Sequence, residues 1–425
     1  MTLCAEIIGV GTELLLGNTV NTDARDVSEG LSALGINVYY HTVVGDNPDR
    51  LRQAVEIARG RADILITTGG LGPTFDDLTK ETLAQCFGKD LIYHEDIGAE
   101  IRAYFEKRLP GHQMSENNLR QAYLPEGCTV FQNDWGTAPG CAFFAEDKHV
   151  LMLPGPPREC REMFSHCAVP YLKGLSDAEI LSHNIHIFGM GESAVEDTLR
   201  GLMEGLTNPT LAPYAKTGEV MLRLTAKAES SEAAEAQMAP VLDQVRAVLG
   251  DVIYGVDTDS LEATVLGLLL DAGKTIAVAE SCTGGLLTKR LTDIPGASGA
   301  FLGGVIAYAN EVKTDLLGVD GALIEQLGAV SDPVACGMAE GVRTRLGTDF
   351  GIGITGVAGP GGGTEEKPVG TVFVAMATAD QTYVRSLRLG NDRTRIRVMA
   401  AHHALDMVRR YLTGLPVETI LSQLR

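Results

Sequence analysis

Aromatic and basic side chains are scarce in this sequence. Aromatic residues make up 5% of its 425 residues, with a single tryptophan, Trp135, so a base-stacking surface for nucleic acid is not expected. The 35 Lys and Arg residues are outnumbered by 55 Asp and Glu, which gives a formal net charge of −20. Such a chain repels phosphate backbones and anionic lipid, whereas a small anion held by backbone amides remains compatible with it.

Other features are missing as well. No apolar run approaches the ~20 residues of a membrane-spanning helix, and the first residues carry Glu6 and no basic segment that would open a signal peptide. The eight cysteines are irregularly spaced without a CxxC pair, and the nine histidines form no HExxH or Cys/His zinc motif. We therefore expect a cytoplasmic protein with reduced thiols and no membrane contact.

The chain length and the order of apolar runs predict several domains. At roughly 150 residues per domain, 425 residues suffice for two or three. Residues 1–170 alternate short strands, at AEIIGVG, INVYYHTVVG and ADILITTGGLG, with helical segments near 24–34 and 51–59. This βαβαβ rhythm predicts a parallel sheet covered by helices on both faces, with ligands at the carboxyl ends of its strands.

The rest of the chain divides into two further regions. Residues 171–255 combine the strand-like IHIFGMGES and EVMLRLTAKAE with a helix for which Ser231 is a plausible cap, and they predict a small α+β domain. Residues 256–425 return to α/β alternation, with strands in KTIAVAE, FLGGVIAYAN, FGIGITG and GTVFVAMATA. The predicted fold class is α/β, with a small α+β domain between two α/β domains.

A polar turn that follows the strand IAVAE is the first candidate for chemistry. Ser281 in the order Ser-Cys-Thr-Gly-Gly stands between a buried strand and a helix, where free N–H groups and the helix dipole can stabilise a developing anion. On spacing alone, a serine that only caps the helix is the more common case. Cys282 is a second candidate nucleophile by residue type, although its position also suits a buried structural cysteine.

Lys313 follows the next strand, five residues after Tyr308. A lysine that is desolvated in a cleft can lose its proton and act as a base toward serine. A solvated lysine on a helix surface is the alternative. No histidine lies in these loops, so a Ser-His-Asp triad is not supported.

Two more segments of the C-terminal region suit an anion. The loop 355–364 contains six Gly or Pro in ten residues, which exposes backbone N–H groups, and it is not a Walker loop because no GK[ST] follows. The segment DRTRIR opens the last helix with Arg393, Arg395 and Arg397. Arginines there suit either a phosphate or a solvated helix face.

These C-terminal motifs together resemble a known family. ESCTGG, the Tyr-x-x-x-x-Lys pair, ITGVAGPGGGTEEKPVGTV and DRTRIR are similar to the C-terminal domain of the CinA family, over roughly residues 260–412. That domain is described as a nicotinamide-mononucleotide deamidase. The resemblance therefore implies hydrolysis of a carboxamide to a carboxylate and ammonia.

The resemblance also assigns roles to individual residues. It implies that Ser281 attacks the carboxamide carbon, that Lys313 is the general base, and that Tyr308 orients it. It implies that Arg393 binds the 5′-phosphate, with Arg397 as the alternative, and that no metal or cofactor is needed. The other residues it assigns to the substrate site are Glu280, Thr283, Gly284, Thr355 and Gly356.

Polar segments also follow the first and third strands of the N-terminal region, at GTELLLGNTVNTD and TGGLGPTFDD. Gly69, Gly70 and Gly72 can present backbone N–H groups to a phosphate. Asp76 and Asp77 can hold a divalent cation beside phosphate oxygens. A helix N-terminus with two acidic residues explains the aspartates equally well, but not the glycines.

GTELLLGNTVNTDA, TTGGLGPTFDD, GTAPG and LPGPPRE resemble the N-terminal part of the CinA family, over about residues 4–170. That part has a molybdopterin-binding fold and is described as an ADP-ribose pyrophosphatase that needs a divalent metal (Mg²⁺, Mn²⁺ or Co²⁺). The resemblance implies a phosphate cradle at Gly69–Gly72 and a metal or phosphate site at Asp76 and Asp77. In the middle domain, Lys216 and Arg223 are candidates by charge for an anionic substrate, with surface positions as the alternative.

The resemblance thus predicts a bifunctional enzyme of pyridine-nucleotide salvage, with a pyrophosphatase domain at 1–170, a middle domain at 171–255 and a deamidase domain at 256–425. Its expected partners are the small nucleotides nicotinamide mononucleotide and ADP-ribose. We expect a homo-oligomer without direct nucleic-acid contact. Two alternatives stay open: an N-terminal domain that binds a molybdopterin-like ligand, because fold does not fix function, and a non-catalytic accessory protein of competence or DNA repair.

Overall fold

The chain forms two compact units. The computed structural model describes residues 3–108, 114–175 and 179–418. One unit consists of the residues up to 181 together with 227–235, and the other of 182–226 together with the residues from 236 onward. The second unit therefore contains most of the predicted middle region and the C-terminal region.

The region up to residue 175 alternates strands and helices. Its strands are β1 (Cys4–Val10), β2 (Asn37–Val44), β3 (Ile64–Thr68), β4 (Leu91–Tyr93), β5 (Tyr123–Pro125), β6 (Thr129–Phe131), β7 (Gly140–Ala145) and β8 (Lys148–Leu153). Its helices are α1 (Thr12–Leu15), α2 (Thr22–Ala33), α3 (Pro48–Arg59), α4 (Thr79–Cys86), α5 (Glu95–Arg108), α6 (Pro157–Met163) and α7 (Val169–Lys173). A 3-10 segment, Glu116–Ala122, precedes β5.

The main sheet of this region has the strand order β2-β1-β3-β8-β7-β6. The first four strands are parallel, as predicted, whereas β7 pairs antiparallel with β8 and β6 pairs antiparallel with β7. The turn between β7 and β8 explains this difference. Its two residues, Glu146 and Asp147, both have positive φ, at 51° and 59°, which is the conformation of a two-residue hairpin turn.

Both faces of this sheet are buried. Ile7 and Ile66 pack into a cluster that contains Val27 of α2, while Ile8 and Leu65 face the opposite cluster with residues of α3. Since successive strand residues point to opposite faces, a strand buried on both sides must be apolar throughout. This is why β1 and β3 are mostly apolar in the sequence. The exception in β1 is Glu6, which is buried and paired with Arg61 at 2.7 Å.

The middle region is α+β. Its strands are β9 (Glu179–Ile187), β10 (Thr210–Lys216), β11 (Glu219–Ala228) and β12 (Ile253–Val256), and its helices are α8 (Glu192–Glu204) and α9 (Ser231–Leu249). The sheet order is β10-β11-β9-β12. Helix α9 begins where it was predicted, but its cap is one residue earlier. The hydroxyl of Ser230, not Ser231, accepts a hydrogen bond from the Ala233 N–H at 3.2 Å.

The C-terminal region is a second α/β layer structure. Its helices are α10 (Leu261–Asp271), α11 (Leu286–Thr292), α12 (Asn310–Leu317), α13 (Gly321–Leu327), α14 (Asp332–Leu346) and α15 (Arg393–Leu412). Its strands are β13 (Ile276–Glu280), β14 (Phe301–Ile306), β15 (Phe350–Gly356), β16 (Thr371–Ala377) and β17 (Thr382–Arg388). In the order β14-β13-β15-β16-β17, the first three strands are parallel, β16 pairs antiparallel with β15, and β17 pairs antiparallel with β16.

Each α/β sheet has a point where the strand order reverses. From β1 the chain moves outward to β2 and then returns to β3 on the other side of β1. From β13 it moves to β14 and returns to β15 in the same way. The carboxyl ends of β1 and β3, and of β13 and β15, are therefore topological switch points, where α/β sheets bind ligands.

The helices and the cysteines bear on the expected surroundings of the protein. None of the described helices has the length and apolar character that a bilayer crossing requires. All eight cysteines carry free thiols.

A buried charge network ties α15 to its surroundings in the second unit. Asp406 accepts hydrogen bonds from the guanidinium of Arg385 at 2.9 Å and from that of Arg409 at 2.8 Å, and all three side chains are buried. Arg409 also donates to the carbonyl oxygen of Asp251 at 2.9 Å, in the turn before β12. One carboxylate thus compensates two buried cations that hold the middle and C-terminal regions together.

We predict that Asp406→Asn destabilises this unit strongly, because it leaves Arg385 and Arg409 buried without their counter-charge. Loss of one partner from a buried ion pair costs about 3–5 kcal/mol. The measurement is urea unfolding of the full chain. The matched control is Asp293→Asn, which breaks the exposed pair with Lys289 and is expected to change stability by less than about 1 kcal/mol. Equal effects of the two variants would contradict the prediction.

Candidate functional site

Ser281 lies at the switch point of the C-terminal sheet. Its backbone N–H donates to the carbonyl of Ile354 at 2.9 Å, which fixes it against the end of β15. On the other side, the N–H of Ala307 donates to the carbonyl of Glu280 at 2.8 Å, which fixes the end of β13 against the chain that leaves β14. The serine is thus held between the loops that follow β14 and β15.

Glu280, and not Ser281, caps the following helix. Its buried carboxylate accepts hydrogen bonds from the backbone N–H groups of Gly285 (3.0 Å), Leu287 (3.1 Å) and Thr288 (2.7 Å), and from the hydroxyl of Thr288 (2.8 Å). The interpretation of Ser281 as a simple helix cap is therefore wrong. The prediction that Glu280 contacts substrate also needs correction, because its carboxylate is engaged by the first turn of α11.

The turn around Ser281 leaves hydrogen-bonding groups unused. Within the described part of the chain, the Ser281 hydroxyl has no hydrogen-bond partner, and no carbonyl accepts from the N–H groups of Cys282 or Thr283. The buried hydroxyl of Thr283 is also without a partner there. Gly284, by contrast, uses its N–H to close the turn onto the Ser281 carbonyl at 3.0 Å. The N–H groups of Cys282 and Thr283 instead contact the Cys282 thiol, which is a weak acceptor. Sequence reasoning did not single out these two N–H groups beside the serine.

Cys282 is unsuited to act as the nucleophile. Its side chain is buried, and burial raises the pKa of its thiol to about 12. A thiol with this pKa is protonated at neutral pH, whereas the thiolate is the reactive form. The structure therefore favours Ser281 over Cys282.

Lys313 is buried, with 1% of its surface exposed, so the alternative of a solvated helix lysine is wrong. Its Nζ donates to the carbonyl oxygens of Ala307 at 2.8 Å, Tyr308 at 3.1 Å and Ala309 at 3.4 Å. Burial lowers its pKa, and the charge of Glu311 opposes this effect.

No hydrogen bond joins Lys313 to Ser281 within the described residues. The connection between them runs through Ala307, whose carbonyl accepts from Lys313 and whose N–H is bound to the carbonyl that precedes Ser281. Tyr308 lies beside this link, with 64% of its surface exposed. Its phenol is open to a ligand, and its carbonyl helps to hold the lysine.

The glycine-rich loop and the last helix meet the serine turn from the other side. The hydroxyl of Thr355 donates to the Ala329 carbonyl at 2.8 Å, so it is occupied within the protein. Gly356 is needed for close packing, since a Cβ there would lie 2.8 Å from the Thr371 carbonyl oxygen. Arg393 donates to the Gly359 carbonyl at 2.6 Å, and Arg397 to the Thr283 carbonyl at 2.6 Å. Both arginines therefore border the candidate site.

The N-terminal switch point opens into a cleft of about 580 Å³. The segments GTAPG and LPGPPRE border it together with the loops after β1 and β3. All five N-terminal residues proposed from the sequence line it. The polar and glycine residues in its wall include Glu13, Asp46, Gly69, Gly70, Gly72, Thr74, Asp76, Asp77, Gln121 and Glu159.

The glycines of the predicted phosphate cradle have different roles. Gly69 donates its N–H to the Leu153 carbonyl at 3.0 Å, so that group is not available to a phosphate. Its φ of +94° and the 2.3 Å approach of a Cβ to the Val10 carbonyl oxygen explain why glycine is required there. The N–H groups of Gly70 and Gly72 have no partner among the described residues, and they remain candidates for the cradle.

Asp76 and Asp77 are both oriented by Thr74. The Thr74 hydroxyl donates to both carboxylates, and the Thr74 N–H donates to Asp77 at 2.8 Å. The hydrogen bond from Thr74 lowers the pKa of Asp76, which therefore stays ionised at neutral pH. Each carboxylate keeps its other oxygen clear of side-chain hydrogen bonds within the described residues, as a ligand to a hard cation requires.

This pair is not part of a larger cluster. In the described ranges, no group of three or more His, Cys, Asp or Glu side chains is arranged to hold a metal ion. Two carboxylates that share a cation with substrate phosphates are a common arrangement for Mg²⁺. The donor set therefore fits a cation that binds together with a phosphorylated ligand.

The cleft contains acidic residues that the sequence reasoning missed. Asp46 follows β2 and accepts from the N–H and hydroxyl of Thr12, at 2.8 Å and 2.7 Å. Glu13 lies in the loop after β1 and also lines the cleft. Their position after parallel strands was the available signal, because all such strand ends meet at one edge of the sheet.

The two basic residues proposed in the middle region have separate surroundings. Lys216 is exposed and lines a cleft of about 630 Å³ together with Arg395 and the segment 188–192. Arg223 lies on β11, where its guanidinium stacks over the Tyr214 ring at 5.3 Å and donates to Asn184. Arg223 is therefore engaged within the middle region.

Comparison with known proteins covers nearly the whole chain. Family profiles match residues 6–174 as a probable molybdopterin binding domain, 182–255 as the damage-inducible protein CinA KH domain, and 258–412 as the CinA C-terminal domain. A CinA-like protein of Desulfovibrio desulfuricans is 52% identical over 420 residues, which cover 97% of each chain. A CinA-like protein of Dictyoglomus turgidum is 49% identical over 410 residues, 96% of this chain and 99% of that one.

Solved structures include a protein CinA from Thermoplasma acidophilum. It is 36% identical, and the match covers 39% of this chain and 95% of that chain, with a TM-score of 0.36.

We predict that Asp23, in the first turn of α2, makes stability pH-dependent. Its side chain is buried with one oxygen unpartnered, and burial, followed by the charge of Asp26, raises its pKa to about 7. The unfolded chain releases this proton near pH ~4. Between these values only the folded state binds the proton, so the stability contribution is lost as the pH rises toward 7.

Asp23→Asn removes this titration. The variant is expected to be more stable than the parent by about 4 kcal/mol at pH 8, and no more stable at pH 4. Urea unfolding at the two pH values measures the difference, with Asp90→Asn as an exposed control. A stabilisation that does not depend on pH would disprove the titration of Asp23.

Proposed function

The chain belongs to the CinA family, and from this premise we propose that its C-terminal domain is a nicotinamide-nucleotide amidohydrolase and its N-terminal domain a metal-dependent ADP-ribose pyrophosphatase. The first activity converts nicotinamide mononucleotide to nicotinate mononucleotide and ammonia. The second converts ADP-ribose to AMP and ribose 5-phosphate. A cytoplasmic homo-oligomer without direct nucleic-acid contact is part of the same proposal.

One observation carries the amidohydrolase proposal: Glu280 caps α11 and thereby leaves the Ser281 hydroxyl unbound at the switch point. The second requirement of amide hydrolysis is a set of donors for an oxyanion, and the backbone beside Ser281 supplies it. The N–H groups of Cys282 and Thr283 bind no carbonyl and contact only the weakly accepting Cys282 thiol, so they suit the oxyanion that forms when a carboxamide is attacked. The third requirement is a group able to accept a proton. Lys313 supplies it, because burial lowers its pKa.

The proposed reaction proceeds through an acyl-enzyme. Ser281 Oγ forms a bond to the carboxamide carbon while its proton passes to the neutral amine of Lys313. The resulting oxyanion is stabilised by backbone N–H groups, and its collapse breaks the C–N bond, with the proton returned to the leaving ammonia. Water then attacks the ester carbon and releases nicotinate mononucleotide and the free serine.

The contacts of Lys313 are compatible with a neutral amine. An ammonium has three N–H donors, and a neutral amine has two donors and a lone pair. The neutral form can keep the two shorter bonds, to Ala307 and Tyr308, and give up the longest, at 3.4 Å to Ala309. The lone pair is then free for a proton from the serine.

The N-terminal cleft supports the pyrophosphatase proposal. Asp76 and Asp77 would hold the divalent cation with substrate phosphate oxygens, and the N–H groups of Gly70 and Gly72 would contact the remaining phosphate charge. When bound, such a cation neutralises charge that develops on the phosphates. Water adds to one phosphorus, the bridging P–O bond breaks, and AMP and ribose 5-phosphate leave.

The remaining alternatives have less support. The cleft also suits a molybdopterin-like ligand, so retention of a pterin during purification would favour that alternative for the N-terminal domain. Nucleic-acid binding has no support from the middle region. KH domains clamp the nucleic-acid backbone with a GXXG loop, whereas residues 182–255 contain no GXXG and carry ten acidic against five basic side chains.

We predict that Ser281→Ala lowers the rate of ammonia release from nicotinamide mononucleotide by about a thousandfold or more, because the nucleophile is lost. A coupled ammonia assay with the full chain measures the rate. Ser298→Ala, an exposed serine in the same region, is the matched control and should be unchanged. Full activity in Ser281→Ala would refute the acyl-enzyme, and chelator is expected to have no effect.

We predict that Asp77→Asn lowers AMP release from ADP-ribose by at least about a hundredfold, since it removes a carboxylate from the cation site. The assay is chromatography of AMP, with and without chelator. Asp49→Asn, on the exposed surface of α3, is the control, and deamidation should be unchanged in both variants. AMP release that resists both chelator and Asp77→Asn would rule out this site.

A further inference from the structure

An unsatisfied amide lies in the wall of the N-terminal cleft. Gln121, at the end of the 3-10 segment before β5, is buried, with 1% of its surface exposed, and it lines the cleft. Its Oε1 is buried and has no hydrogen-bond partner within the described residues. A buried polar atom without a partner is unfavourable, so this arrangement indicates that something outside the chain completes it.

The backbone of Gln121 is held firmly in place. The buried ammonium of Lys80 donates to its carbonyl at 3.2 Å and to the Arg120 carbonyl at 3.0 Å. Arg120 in turn donates to the Thr74 carbonyl at 3.0 Å, in the loop that orients Asp76 and Asp77. Gln121 is therefore fixed relative to the proposed cation and phosphate groups, which is what a recognition residue requires.

The chemistry of an amide limits what its partner is. A phosphate oxygen accepts hydrogen bonds and cannot donate to Oε1. The cleft also contains Asp76, Asp77 and Glu159, whose carboxylates only accept when ionised. An acceptor in this position therefore needs a donor supplied by the non-phosphate part of the ligand, such as a sugar hydroxyl or an exocyclic amine.

We propose that Gln121 is a specificity-determining residue of the N-terminal cleft, which hydrogen-bonds a hydroxyl or amino group of a sugar nucleotide whose phosphates occupy the Gly70–Gly72 and Asp76–Asp77 side. This proposal rests on the pyrophosphatase function and adds to it. The proposal assigns Gln121 to the sugar or base of ADP-ribose, and the glycines and aspartates to its phosphates. Inorganic pyrophosphate, which offers the phosphates and no such donor, is the matched probe.

The test compares binding of ADP-ribose and inorganic pyrophosphate by calorimetry, with the full chain and with Ca²⁺ as the hard cation that the carboxylates and the phosphates share, at low temperature to limit turnover. Gln121→Met keeps the size of the side chain and removes its hydrogen bonds. We expect it to weaken ADP-ribose binding by about tenfold and to leave pyrophosphate binding unchanged. Gln85→Met, on the exposed face of α4, is the control for the same substitution.

The outcomes separate the two proposals. If the parent chain binds no ADP-ribose, the pyrophosphatase function fails. If the parent binds it and Gln121→Met binds it equally well, the function stands and the role of Gln121 is overturned. Equal weakening of ADP-ribose and pyrophosphate overturns it too, because the residue would then act on the phosphates.

A second variant tests the proposal if Gln121→Met does not fold. Gln121→Asn keeps the amide and withdraws it by one methylene. We expect a loss of at least threefold for ADP-ribose alone, and unchanged binding in this variant contradicts the proposal.

Discussion

The buried carboxylate of Glu280 is the constraint on which the C-terminal site depends. Burial of a carboxylate is unfavourable unless its oxygens are saturated with hydrogen bonds, and here three N–H groups and one hydroxyl of a single turn and helix do this. The carboxylate also lies at the positive end of the dipole of α11. The same contacts that stabilise Glu280 therefore fix the shape of the turn 281–285, and with it the position of the serine.

This arrangement also determines which backbone groups remain free. The N–H groups of Gly285, Leu287 and Thr288 bind Glu280, and that of Gly284 closes the turn. The N–H groups of Cys282 and Thr283 bind no carbonyl and contact only the Cys282 thiol. A thiol is a weak acceptor, so a chain with a net charge of −20 still offers backbone donors to an anion beside the serine.

The N-terminal cleft also presents backbone N–H groups that the protein leaves unbound, although they come from a different turn. Positive φ values at Gly69 and Gly70 allow the chain to turn sharply after β3, and the N–H groups of Gly70 and Gly72 stay unbound. Both sites lie where the order of strands reverses, because there two loops leave the sheet on opposite sides and a crevice opens between them. The position of each site follows from topology, and its chemistry from the residues that end the strands.

The sequence was sufficient for the parts of the structure that depend on neighbouring residues. Apolar runs located β1, β3 and β13, and glycine-rich turns located the ligand edge of both sheets. The antiparallel β7 was not anticipated, since it depends on a turn with two positive φ values and no glycine. The position of Gln121 was hidden because Lys80 reaches its carbonyl from 41 residues away, and no local pattern reports such a contact. The cap formed by Glu280 is local, but its residue stands in the strand before the turn and not at the usual cap position.

The residue type of Lys313 does not decide whether it is neutral or charged, and its surroundings do. Burial favours its neutral form, while the three carbonyls around Nζ favour the cation, since an ammonium satisfies all of them. Under the proposed function, a nucleotide bound at the serine turn would exclude water and so increase the desolvation of the amine. The substrate itself would then promote deprotonation of Lys313, and the serine would gain its base when a carboxamide is present to be attacked.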